Sequence, residues 1–203
     1  MIMFVKLADN IVKWMLSNQI IEEKKAVICR WGISHILDTI FNIITFLIIG
    51  ILFKMPFETI VFTLGYIPLR IYAGGYHAKT PFRCWCLSNI ILAVSLVIVQ
   101  NVKKCYIAFG VLSLIAIVIL IILMPVEDLH KPLDQNDRKK YKKRGMVILA
   151  VEICISVALA LLHCNKISLV LGSIWVLLSV MLILGVIKNN LIKKYNCKNP
   201  SEL

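Results

Sequence analysis

Two stretches of this chain, residues 105–126 and 167–187, carry no charged side chain and are each long enough to cross a membrane. At about 1.5 Å of rise per residue, some 20 residues of helix cover a hydrocarbon core of about 30 Å. Inside lipid a chain must satisfy its own backbone polar groups, which leaves the helix or the closed barrel. Residues 84–102 form a third uncharged run of nearly the same length. Residues 31–53 carry Asp38 and the titratable His35, and residues 145–165 carry Glu152. A weaker apolar segment, residues 55–72, contains Glu58, Gly65, Pro68 and Arg70. Of 203 residues, 60% are hydrophobic and the mean hydropathy is +0.85, an excess that a soluble domain of this length does not need. The expected fold is an all-α integral membrane protein with about six transmembrane helices and an N-terminal amphipathic interfacial helix. The expected organisation is an N-terminal amphipathic region at 1–30, a six-span domain at 31–187 and a basic tail at 188–203. The spans are expected near 31–53, 55–72, 84–102, 105–124, 146–163 and 167–187.

The formal net charge of +12 reads as topology before it reads as nucleic-acid binding. With both termini taken as cytoplasmic, nineteen of the 23 Lys and Arg residues fall on that side. The densest group lies between the fourth and fifth spans, with Lys131, Arg138, Lys139, Lys140, Lys142, Lys143 and Arg144. The opposite side keeps Lys54, Lys103, Lys104 and Lys166. The basic runs thus have a cause, and no nucleic-acid partner is expected. A multi-pass membrane protein with both termini cytoplasmic is the expected arrangement. Residues 1–10 lack the basic-then-apolar order of a signal peptide. Phe4, Leu7, Ala8, Ile11, Val12 and Met15 share one helical face, with Lys6, Asp9, Asn10, Lys13 and Ser17 around the other. Such a helix either lies in the membrane interface or packs on the protein's own cytoplasmic surface. The seven cysteines include no CxxC pair or metal-ligand spacing, so no metal site and no cofactor are expected.

The chemistry concentrates between spans two and three, from Arg70 through Gly74, Gly75 and His77 to Cys84. Thr80 and Pro81 read as the N-cap and first residue of the third span, which puts Cys84 in its first turn. Unpaired N–H groups at that helix end favour a thiolate, and Arg83 adds a nearby cation. On one continuous helix His77 and Cys84 would stand about 10 Å apart, too far for proton transfer. A turn at residues 79–81 closes that gap and gives a Cys–His pair able to attack a carbonyl and protonate an amine leaving group. Gly74 and Gly75 are candidates to bring backbone N–H groups to the reacting carbonyl. Ser88 and Asn89, one turn further along, are candidate orienting groups. The residues by themselves leave the bland alternative open: a small buried thiol and a histidine that meets lipid headgroups.

The run from Arg70 through Gly74, Gly75, Tyr76 and His77 to Cys84 resembles the signature of the accessory gene regulator B (AgrB) peptidases of Gram-positive bacteria. A second match follows the fourth span, with Pro125, Val126, Glu127 and Asp128, then Lys131, Pro132 and Leu133 before the basic run. The resemblance implies that Cys84 is a nucleophile and His77 its base, in a homodimer embedded in membrane lipid. It also implies a short quorum-sensing precursor with an amphipathic leader and an acidic C-terminal tail. Cleavage of that tail would leave a Cys84 thioester, from which a thiolactone or lactone ring closes. Arg70, Pro125, Lys131 and Pro132 are expected to support the site or the substrate. Lys139, Lys140, Lys142 and Lys143 have two readings, a topology signal or capture of the acidic tail. A plain hydrolytic membrane protease, or a small transporter or scaffold, are the competing functions.

Overall fold

The computed structural model describes residues 4–76, 78, 80–102, 106–127 and 134–198. Among these are seven helices: α1 (Val5–Ser17), α2 (Glu23–Leu52), α3 (Pro56–Ala73), α4 (Pro81–Asn101), α5 (Tyr106–Leu123), α6 (Gln135–Leu161) and α7 (Asn165–Lys198). The described residues contain no strand, only an isolated parallel bridge between Gly74 and Val126. Five helices, α2 and α4 to α7, are long and apolar enough to cross a membrane. The fold is that of an all-α membrane protein.

α3 is the weakly apolar segment, and its surroundings explain why it is tolerated. It packs against α2, α4, α6 and α7, so much of its surface meets protein rather than lipid. Thr59, Phe62, Gly65, Tyr66, Leu69 and Ala73 are all buried. Thr59 and Thr63 return their hydroxyls to the carbonyls of Met55 and Thr59, at 2.9 and 2.7 Å, so neither leaves an orphan donor. Pro68 lies inside an unbroken helix, and the backbone departs from helix only at Gly74.

α7 is the other central element, touching α3, α4, α5 and α6. Leu169, Val170, Ile174, Leu178 and Leu182 fill its inner face against Leu92, Leu96, Leu120 and Leu149. Polar pairs tie the bundle where lipid offers no hydrophobic drive to helix association. The Ser95 and Ser173 hydroxyls meet at 2.5 Å, those of Ser156 and Ser168 at 2.8 Å. The Trp175 indole N–H donates to the Glu152 carboxylate at 2.8 Å, which gives that intramembrane acid a place between α6 and α7.

Three boundaries differ from the sequence reading. α2 begins at Glu23 rather than near residue 31, and α1 packs back along it. Ala8 and Val12 are buried in that hairpin, and Arg30 Nε reaches Asp9 at 2.6 Å. The stretch 127–144, expected as a soluble connection, is helical from Gln135 onward as part of α6. Its Lys and Arg residues favour helix, and extending an existing helix avoids the cost of nucleation. α7 likewise runs through Lys198, so the basic tail starts as a continuation of the last span.

Candidate active site

The site is built at the start of α4. Thr80 is extended (φ −128°, ψ 147°), and its hydroxyl accepts from the Arg83 N–H at 3.3 Å. Pro81 occupies the first helical position, where its missing N–H costs nothing. The Cys84 N–H closes the first helical turn onto the Thr80 carbonyl at 3.1 Å. Cys84 therefore sits in the first turn, half-buried, as the cap and proline imply.

The segment that leads toward α4 is held from several sides. The Arg70 guanidinium, one turn from the end of α3, donates to the carbonyls of Gly74 and Tyr76. The Gly75 N–H donates to Val126 O at 3.1 Å, and the Val126 N–H returns to Ala73 O at 2.9 Å. Gly74 adopts φ +72°, and a Cβ there would overlap the Val126 carbonyl oxygen. The two sequence motifs, separated by some fifty residues, are thus one structural unit. Residues 125–127 are fixed in turn by Asn189 of α7, whose amide donates to the Glu127 carbonyl at 2.7 Å.

These bonds correct one expectation. The Gly74 N–H is taken by Arg70 O at 3.0 Å and the Gly75 N–H by Val126 O, so neither is available to an oxyanion. A backbone N–H has one proton to give, and both are engaged. The two glycines act through close packing instead. The candidate orienting groups are also engaged locally. Ser88 donates its hydroxyl to the Cys84 carbonyl at 3.1 Å, and Asn89 donates its amide to the Trp85 carbonyl at 2.8 Å. Neither bond reaches the thiol. His77, Lys131 and Pro132 lie outside the described residues.

Tyr66 is a site neighbour that the sequence did not flag. It is 4% exposed and stacked on Phe62, with ring centroids 5.1 Å apart. Its spacing of four residues from Arg70 on α3 is the one local signal that pointed to it. On the other flank Trp85 donates to Thr45 Oγ1 at 3.2 Å and packs on Phe41 and Phe82, each with ring centroids 5.6 Å away.

The basic part of α6 stands beside this unit. Arg138 pairs with Glu127 at 3.3 Å, and the Arg144 guanidinium lies 5.8 Å from the Tyr72 ring centroid. Lys139, Lys140, Lys142 and Lys143 are exposed. Lys140 makes a surface pair with Asp137 at 3.6 Å, an arrangement that contributes little.

The fold and this site define a polytopic helical membrane protein with a thiol at a capped helix end that follows, in sequence, a loop clasped by an arginine. The sequence profile of accessory gene regulator B matches residues 6–191. The chain belongs to the AgrB family. It is 28% identical over 170 residues to a putative AgrB-like protein of Clostridium perfringens strain SM101, covering 75% of this chain and 79% of that one. It is 30% identical to putative AgrB-like protein 2 of C. perfringens strain 13, covering 71% of each. Accessory gene regulator protein B of Staphylococcus carnosus is 26% identical over 63% of this chain and 66% of its own length. No solved structure matches the chain.

Proposed function

We propose that this protein is a cysteine endopeptidase that trims a quorum-sensing precursor peptide at the cytoplasmic membrane face and closes the product into a ring. The observation that carries the reading is the half-buried Cys84 thiol in the capped first turn of α4, a few residues after a loop clasped by Arg70. His77, which follows that clasped loop in sequence, takes the thiol proton. The thiolate adds to a precursor carbonyl, and the C–N bond breaks as His77 protonates the departing amine. The product is a Cys84 thioester and a free C-terminal tail. An internal Cys or Ser of the precursor then attacks the thioester, forming a thiolactone or lactone and releasing the Cys84 thiol. A homodimer in bacterial plasma membrane, with termini and site cytoplasmic, is the form in which this would act.

Mass spectrometry of the product from reconstituted protein and precursor tests this reading. A ring is lighter than the linear acid by one water. Linear acid alone would make the protein a hydrolytic protease, and an uncut precursor would leave transport or scaffolding.

The exposed lysines of α6 give a second expected result. Neutralising Lys139, Lys140, Lys142 and Lys143 to Gln removes charge without touching the Arg138 and Arg144 contacts. If they attract an acidic precursor tail, KM should rise roughly three- to ten-fold at low salt with kcat little changed. The wild-type salt dependence should flatten in the variant, because exposed charges are screened beyond about 10 Å at 0.1 M. Labelling near Asn136 checks that the variant still inserts with that end inside. An unchanged KM and salt slope would leave these lysines as an orientation signal.

A further inference from the structure

Met181, Gly185, Lys188 and Asn189 share one face of α7, and this face carries both halves of the loop unit. The Tyr76 N–H donates to the Met181 carbonyl at 2.9 Å, a bond from loop backbone to helix backbone. Lys188 Nζ lies 5.4 Å from the centroid of the Tyr76 ring, and Asn189 holds Glu127. The contact is closest at Gly185. A Cβ there would stand 2.8 Å from Gly75 C and from Tyr76 N, and 3.0 Å from Gly75 Cα. Across the seam Gly75, at φ +109°, would bring a Cβ of its own to 3.0 Å from the Met181 carbonyl oxygen. Two glycines therefore let a loop and a helix meet backbone to backbone.

We propose that this face of α7, with Gly185 at its centre, is a positioning surface for the catalytic loop. The inference rests on the peptidase reading and adds residues to it that lie about a hundred positions from the motif. Its logic is steric. The atoms facing Gly185 belong to backbone, which cannot rotate aside as a side chain does, so a methyl group must push the loop outward by roughly 0.5–1 Å. Tyr76 directly precedes His77 in sequence, so that shift passes to the base through one peptide bond. Displacements of about 1 Å in a reacting constellation cost on the order of 100-fold in rate.

The test is Gly185→Ala in reconstituted full-length protein, with cleavage kinetics followed across pH. The expected result is a kcat lower by roughly 10- to 100-fold with KM within about two-fold. The acid limb of the kcat profile, which reports the base, should also move. Gly172→Ala is the control on the same helix, since its Cβ would crowd Ser113 Oγ at 2.8 Å and Phe109 Cε1 at 3.0 Å, away from the loop. It should keep the wild-type kcat and pH profile. An equal kcat loss in Gly172→Ala, or a wild-type kcat and profile in Gly185→Ala, overturns the proposal. Should Gly185→Ala not accumulate in the membrane, Lys188→Met decides. A two- to five-fold fall in kcat at constant KM supports the positioning surface, and no change overturns it. Cys84→Ala in the same preparations separates the two levels. If that variant still cleaves, the peptidase reading falls. If it is dead while Gly185→Ala behaves as wild type, only the positioning role falls.

Discussion

Replacing Cys84 by alanine should abolish precursor cleavage, by at least ~1,000-fold, while Cys86→Ala keeps most of the activity. Both thiols are half-buried in the first turns of α4, so exposure does not separate them. Direction does. Two residues on a helix differ by about 200°, which points Cys86 away from the face that Cys84 presents. Cys84→Ser should be nearly as inactive, because a hydroxyl is intrinsically a much weaker nucleophile than a thiol. Initial rates of tail release from reconstituted membranes provide the measurement. A dead Cys86→Ala beside an active Cys84→Ala would move the site to the wrong face of the helix and end this account of it.

Gly74→Ala should be the most damaging change that adds a single carbon. At φ +72° and ψ −138° an L side chain is strained by about 1–3 kcal/mol before any contact is considered. The new methyl would then meet the Val126 carbonyl oxygen, the acceptor for the Gly75 N–H. Relief requires residues 73–75 and 125–127 to part, which breaks the bonds at 3.1 and 2.9 Å that join the two motifs. Cleavage should be lost, and the melting temperature of the purified protein should fall by roughly 5–10 °C. Gly110→Ala is the matched control: nothing lies within 4 Å of a Cβ there, and the change falls inside a helix. It should leave melting unchanged or raise it slightly, since alanine is the better helix former. A Gly74→Ala protein that melts and cleaves like wild type would mean that the seam between the motifs does not carry the site.

The features legible in the sequence are those set by local physics or by the solvent. Long apolar runs such as residues 106–123 and 167–187 satisfy their backbone polar groups internally as helix, one of the two solutions lipid allows. The Thr80 cap, Pro81 at the first position and Cys84 in the first turn follow from side chains within four residues of one another. Hydropathy also marked residues 135–144 as outside the lipid. It could not tell that they continue α6, because helix extension depends on the turns already formed.

The tertiary structure decided everything that rests on partners distant in the chain. The roles given to Gly74 and Gly75 turned on who accepts their N–H protons, and Val126 is one of those acceptors. α3 could be short and carry Arg70 because four other helices pack against it, a fact no hydropathy window contains. Met181 and Gly185 sit in an apolar run that reads only as a span, yet they touch the loop backbone directly. The sequence by itself determined a helical membrane protein with a thiol at a helix start. Only packing brought Arg70, Val126 and Gly185 around the loop before it, because those contacts join backbones that local propensity does not relate.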